Sequence, residues 1–377
     1  MVLREIGILA IGLVSISYSL CAAAENFKIA NEISARVVAE DLDKAVRITP
    51  DPRRSANLLV AIRSGLVLSV DSKTGETHEL IDIEDITRDD PAPGLLGIAA
   101  TRDSTAPALF LNYVDTQGDL VVARFSLSGE KTLRADDMSV VIKIARLAPN
   151  NLNGDLTLDN AGNLFVATDD GEPTTGTRSH TAQGLNSLLG KVIRISPTGQ
   201  KGFSIPKDNP FIGTPNALPE IWALGFRSPD SITFDAESRR LVLLDSNERT
   251  LELNIIEAGK NYGWDKTDGV TCREAPCKVD DFTAPKISLQ PTSPRAKLLG
   301  GFTYRGSSLS QIKNSMIFAE SASGTIYTAR EKNPGFWEHK ELAKLPNKVI
   351  TAIGTDSRGE IWLATEGGEL LGMRRGE

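Results

Sequence analysis

The chain reads as an all-β protein, a six-bladed β-propeller of four-stranded blades, and three observations carry that expectation. Strand–turn–strand units recur along it. "DNAGNLFVATDDG" (159–171) and "DSRGEIWLATEGG" (356–368) share Asp, Gly, Ala, Thr and Gly at equal offsets. Each is a polar turn followed by a strand of period-two alternation, the pattern of a half-buried sheet. Looser relatives are "LVAIRSGLVLSVDSKTG", "LFLNYVDTQGDLVVARFSLSG", "ITFDAESRRLVLLD" and "MIFAESASGTIYTAR". Helical periodicity, by contrast, is hard to find beyond the first residues. The length of 377 residues is large for one compact core, and it accommodates six blades at about 50–60 residues each. Two stacked β-sandwiches would also supply many strands. They usually show a linker, and no Pro/Ser-rich or charged break divides this chain.

The first element is a leader. "MVLREIGILAIGLVSISYSLCAAAENF" places Arg4 before an apolar run from Ile6 to about Leu20, then Ala22–Ala24 before Glu25. This is the order of a secretory signal peptide over 1–24, cleaved near Ala24, with a single propeller domain over 25–377. The apolar run falls short of the ~20 residues of a spanning helix. Cys21 lies near the cleavage zone, but Leu20 is too bulky for the position before a lipidated cysteine. The expected location is therefore secreted or periplasmic, with no membrane span once the leader is removed.

In an oxidising compartment Cys272 and Cys277, in "CREAPC", most simply close a small loop as a disulfide. Metal binding there is the weaker reading, since no second Cys or His pair lies nearby. The formal charge of −7 comes from 42 basic and 49 acidic residues, mixed along the chain with no basic block. Nucleic acid and anionic membranes are thus not expected partners.

Seven stretches occur in one order: "GLLGIAA" (94–100), "NGDLTLDNAGNLFVATDDG" (153–171), "LNSLLGKVIRI" (185–195), "NPFIGTPNALPEIWALGFRSPDSITFD" (209–235), "LELNIIEAGKNYGW" (251–264), "GGFTYRGSSL" (300–309) and "ITAIGTDSRGEIWLATEGGEL" (350–370). In these the chain resembles the soluble quinoprotein glucose and aldose sugar dehydrogenases, a group that includes the sorbosone dehydrogenases and the propeller of hedgehog-interacting protein. The resemblance runs from about residue 55 to the C-terminus. It implies a six-bladed propeller, in agreement with the repeats. It also implies pyrroloquinoline quinone (PQQ) over the central channel, a calcium ion polarising the quinone carbonyl, an arginine holding the cofactor and a histidine taking the sugar hydroxyl proton. The quinone is the electron sink that side chains do not provide, and the base needs a pKa near working pH.

Several family positions are altered. The motif His-Asn-Gly-Gly-x-Leu, aligned on Gly154 and Leu156, puts Asn151 where the histidine stands, and an amide cannot accept a proton near neutral pH. "Gly-x-Arg-Asn-Pro" becomes Gly225-Phe226-Arg227-Ser228-Pro229, so Arg227 is retained as the cofactor-binding candidate while its asparagine partner becomes Ser228. Ala92 replaces an acidic or amide residue before "GLLG". The loop "LDSNERTLELN" lacks the usual Gln-Gly-Pro, and Ala322 stands near where the glucose dehydrogenases have a basic residue. No catalytic residue is assigned from the sequence.

Three histidines remain as alternative bases. His78 and His339 read as surface positions on strands. His180, in "GEPTTGTRSHTAQG", leaves the hairpin that follows Asn151 and lies on a loop able to reach the channel mouth. The resemblance also implies a calcium ion outside the cofactor pocket, with Glu252 and Tyr262 as its ligands. A carboxylate and a backbone carbonyl suit a hard cation. The other reading makes "NYGW" a turn with an aromatic packed between blades, a packing role also open to Trp222, Trp264, Trp362 and Tyr304.

Three functions follow. One is PQQ-dependent oxidation of a sugar at C1 in a remodelled pocket. A second is a non-catalytic propeller binding a sugar, a glycan or a protein. The third is a calcium-dependent lactonase-like hydrolase built on Asn151, Asn153, Asp169 and Asp245.

Overall fold

The computed structural model describes residues 26–30, 32–88, 94–101, 105–129, 132–145, 153–171, 180–197 and 202–376. The expected leader with Cys21, Ala92 and Asn151 lie outside the described residues. Six antiparallel sheets form the blades, as the repeats predict. Their inner strands are Ala45–Pro50, Leu95–Ala100, Gly154–Leu158, Pro229–Asp235, Leu298–Thr303 and Ile350–Thr355, for blades 1 to 6. Each packs beside the next, and the sixth returns to the first, so the inner strands ring a central channel. Within each blade the chain steps outward by short hairpins, the local pairing that alternating strands separated by polar turns favour.

The two stretches that revealed the repeat fold alike. Asp159 accepts from the backbone N–H groups of Ala161 and Asn163 at 2.8 and 2.9 Å. Asp356 accepts from Arg358 and Glu360 at 2.9 and 3.0 Å. Asp115 does the same in blade 2 with Gln117 and Asp119. The aspartate closes an Asx-turn, and Gly162 and Gly359 take the positive φ, +81° and +78°, that this turn requires.

Ring closure comes from the chain's beginning. Ile33–Ala39 pairs with Leu370–Arg375 and so becomes the fourth strand of blade 6, and Asn26–Ala30 adds a fifth. A strand from one terminus seals the blade made by the other, which leaves no open gap in the ring. Blade 3 is irregular: Lys191–Pro197 pairs near its start with Ile221–Leu224 and at its end with Phe203–Ser204.

The apolar core lies between blades. Leu59, Leu109, Leu111, Tyr113 and Phe125 fill the space between blades 1 and 2, and Phe165, Phe226, Leu243 and Tyr262 that between blades 3 and 4. Inner strands approach so closely that a Cβ on Gly354 would stand 2.2 Å from the Ile48 carbonyl oxygen. Tyr304, fully buried, donates to Glu360 at 2.7 Å and ties blade 5 to blade 6. No helix among the described residues is long and apolar enough to cross a membrane. Cys272 and Cys277 form the expected disulfide.

Candidate active site at the N-terminal mouth of the channel

Asn153, Ser228 and Lys297 each stand immediately before an inner strand, those of blades 3, 4 and 5. They meet at one mouth of the channel. The Asn153 carboxamide donates to Ser228 Oγ and to Asp230 Oδ1, both at 2.8 Å, and accepts from Lys297 Nζ at 2.8 Å. The other end is a cavity of about 700 Å³, lined by the C-terminal halves of the inner strands with Asp51, Arg305 and Arg358 at its rim.

Arg47 separates the two. From blade 1 it reaches across the channel, its Nε 3.1 Å from Asp155 Oδ1 of blade 3 and its guanidinium donating to the Asp230 carbonyl of blade 4. Burial pushes the carboxyl groups of Asp155 and Asp230 above their ordinary values, while Arg47 opposes this at both and Lys297 at Asp230. Removing a cation here would leave buried charge without compensation.

Arg227 sits beside this network with 6 % of its surface exposed. Its backbone N–H and that of Ser228 donate to Asp245 at 2.8 and 2.6 Å, which fixes the turn into the inner strand. Its guanidinium pairs with Asp170 and lies 5.3 Å from the Trp264 ring centroid. The Trp264 indole N–H donates to the other Asp170 oxygen at 2.8 Å. On Trp264 lies a second guanidinium, that of Arg273 at 4.3 Å, anchored by two 2.9 Å bonds to Asp268. Such cation–π contacts contribute ~0.5–2 kcal/mol each when desolvated. Arg273 belongs to the disulfide loop, so that loop packs on Trp264 beside Arg227. Trp264 thus lies between two guanidinium groups, where blade packing was one expectation for it.

His180 joins the same group. Its Nδ1 bonds to the carboxylate of Asp265, a residue 5 % exposed whose other oxygen meets no hydrogen-bond donor among the described residues, with Lys266 Nζ 3.8 Å away. The next residue, Thr181, donates from its hydroxyl to the Asp170 carbonyl. Gln183 donates to the Trp264 carbonyl and exchanges amide bonds with Asn261. Beneath the loop lies Lys191, fully buried, its ammonium donating to the carbonyls of Thr181, Ala182 and Leu189 at 2.6, 3.1 and 2.7 Å. Burial lowers its pKa from 10.5 to about 7. His78 and His339 lie far from this mouth, on the outer strands of blades 1 and 5.

Glu252 faces Asp245 across two paired strands. Its carboxylate accepts from Gly269 N–H at 2.8 Å and from the Asn254 amide at 3.3 Å. Burial, then repulsion from Glu252, pushes Asp245 well above its ordinary value; Glu252 is raised by burial and by Asp268. The Tyr262 phenol is already committed, donating to Ile255 O at 2.7 Å and accepting from Glu257 N–H at 2.9 Å, and its ring stacks on Phe226. Any ligand oxygen from Tyr262 is therefore its carbonyl.

Among the described residues, no three His, Cys, Asp or Glu side chains group as a metal site. Of the set considered for a hydrolase, Asp169 accepts from Asn153 N–H and Asp245 from two backbone N–H groups. Their oxygens hold the fold of the mouth.

The sequence singled out Arg227 and His180 and reads Asp170 as a nearby strand-end aspartate of structural type, but it missed Trp264, Asp265, Arg273, Lys191, Arg47 and Lys297 as their surroundings. One signal was present: two consecutive aspartates end a strand that should continue apolar into its turn, in "FVATDDG".

A family model described as glucose / sorbosone dehydrogenase matches residues 42–372. Among curated proteins, the aldose sugar dehydrogenase YliI of Escherichia coli is 29% identical over 241 residues, 62% of each chain. The HIPL2 protein of Arabidopsis thaliana is 35% identical over 158 residues, 38% of this chain and 23% of its own. The matches thus span less than two thirds of these relatives' lengths. Among solved structures, the apo soluble aldose sugar dehydrogenase of E. coli superposes with a TM-score of 0.72 at 22% identity, covering 91% of this chain and all of that one. The PQQ-bound aldose sugar dehydrogenase of Streptomyces coelicolor gives 0.71 at 20% identity, covering 92% and 99%. At such identities the superpositions speak for the fold. The family model covers nearly the whole propeller, and this chain belongs to the glucose/sorbosone dehydrogenase family.

Proposed function

We propose that this protein is an exported PQQ-dependent oxidoreductase that oxidises a sugar at C1 in a remodelled pocket. The observation that carries the reading is Arg227, held at the channel mouth by Asp170 and Trp264 with the His180–Asp265 pair beside it. Arg227 and Lys297 at the mouth, with Arg273 on the far side of Trp264, are cations able to exchange their aspartate partners for the carboxylates of a tricarboxylate such as PQQ. The buried Asp245–Glu252 pair, its carboxyls raised by burial and repulsion, suits a divalent cation, with the Glu252 carboxylate and the Tyr262 carbonyl as ligands. When bound, PQQ supplies the two-electron sink and calcium its polarisation. The chain's own residues bind and orient: Arg227 and Arg273 present guanidinium groups around Trp264, and Arg47 closes the floor so that the sugar stays at the mouth.

A second reading, a propeller that binds a sugar or glycan without oxidising it, draws support from Asn151 at the motif histidine's place and from Glu248. That carboxylate lies 4.0 Å from Arg227, where it competes with an anionic cofactor.

Calorimetric titration of the mature protein with PQQ, with and without calcium, followed by a dye-linked screen of aldoses, tests the proposal. Calcium-dependent binding with aldose oxidation is the expected result. Absence of PQQ binding at every calcium concentration would leave the binding reading standing.

A further inference from the structure

We propose that His180, oriented by the buried carboxylate of Asp265, is the proton acceptor for the sugar hydroxyl, in the role that Asn151 cannot fill. This inference rests on the quinoprotein reading above.

The argument begins with a closed circuit of contacts. His180 Nδ1 bonds to Asp265; Asp265 is peptide-bonded to Trp264; the Trp264 indole donates to the Asp170 carboxylate; the Asp170 carbonyl accepts from Thr181, the residue after His180. Arg227 stands against two members of that circuit, Asp170 and Trp264. The imidazole is thereby tied to the surroundings of the cofactor-binding arginine, and Lys191 pins the loop from below through three carbonyls. The His180 side chain is about half exposed whereas that of Asp265 is 2 % exposed, so the pair runs from the interior outward to solvent.

The chemistry follows from which nitrogen is engaged. A carboxylate on Nδ1 keeps the neutral ring in the Nδ1–H tautomer and leaves proton acceptance to Nε2. In the step, the O–H bond at C1 breaks and its proton passes to Nε2. With PQQ bound, its quinone would supply the two-electron acceptor for the C1 hydride as the C=O bond forms. The imidazolium so formed is paired with Asp265, whose second oxygen has no hydrogen-bond donor among the described residues. Asp265 acts as a positioning residue.

Three histidines make the imidazole spectrum assignable by one His→Gln variant each. Nitrogen-15 NMR of the apo protein should show His180 in the Nδ1–H tautomer, and Asp265→Asn should abolish that preference. A wild-type His180 carrying its neutral proton on Nε2 would overturn the inference without any cofactor present. With PQQ and calcium loaded, His180→Gln should retain PQQ affinity within about threefold yet lose ~100-fold or more in kcat, the usual contribution of a general base. His339→Gln should leave turnover unchanged. Turnover undiminished in His180→Gln would refute the inference while sparing the quinoprotein reading. Failure of the wild type to bind PQQ would instead remove that reading, and the proton acceptor with it.

Discussion

Lys191 offers the sharpest test of the structure. Its ammonium is fully buried, no carboxylate among the described residues pairs with it, and three carbonyl oxygens accept from it. Burial lowers its pKa from 10.5 to about 7. Between those values the unfolded chain holds a proton that the folded chain has released, so stability rises with pH across that window and is lowest below pH 7. The slope is about 1.4 kcal/mol per pH unit. Lys191→Met deletes the titration and also orphans three buried carbonyls, a pH-independent loss of ~1–3 kcal/mol for each acceptor left unsatisfied. The variant's stability should therefore lack the wild type's rise across this window. Its deficit against the wild type should widen by roughly 2 kcal/mol between pH 7.5 and 9.0. Urea unfolding followed by tryptophan fluorescence at four pH values measures this. Parallel curves over the range would refute the reasoning. They would mean that the three carbonyls keep the ammonium charged within the fold.

Other expectations follow from the same geometry. Arg47→Ala should cost ~3–5 kcal/mol in chemical unfolding at neutral pH, since it removes the cation 3.1 Å from Asp155 Oδ1, a buried oxygen with no hydrogen-bond donor among the described residues; a cost under ~1 kcal/mol would show that the channel hydrates instead. Calcium should raise the thermal midpoint of the apo protein, by the equivalent of ~2.7 kcal/mol at a hundredfold excess over Kd. Glu252→Gln should abolish that shift, and a midpoint indifferent to calcium in the wild type would eliminate this metal site. Arg273→Ala should weaken PQQ binding about fivefold or more in calorimetry by uncovering one face of Trp264; unchanged affinity would restrict the cofactor contact to Arg227. Replacing Cys272 and Cys277 by serine removes a short loop closure that contributes about 2 kcal/mol, read by denaturant unfolding of the oxidised protein and the variant.

Much of the fold was legible because a propeller repeats one local rule. An aspartate that closes a turn, a glycine with positive φ and an alternating strand need only neighbours within a few residues. The matching turns at Asp159 and Asp356 realise that rule at opposite ends of the chain. The disulfide was legible for the same reason. The candidate site was legible only in part: Arg227 and His180 stood out, but their partners lie far along the chain, Asp265 85 residues from His180 and Trp264 94 from Asp170. Nothing in the local pattern separates such an aspartate or tryptophan from one that merely caps a turn or fills a core.

By itself the sequence determined the all-β class, the six strand–turn–strand units, the family and the altered residues around Arg227. These rest on short-range periodicity and on ordered motifs. Tertiary structure alone decided that Ile33–Ala39 seals blade 6, that Arg47 spans the channel to Asp155 and Asp230 and that His180 meets Asp265. The physical reason is common to all three. A closed ring brings distant segments to one axis, and buried charges there must find partners wherever the ring delivers them.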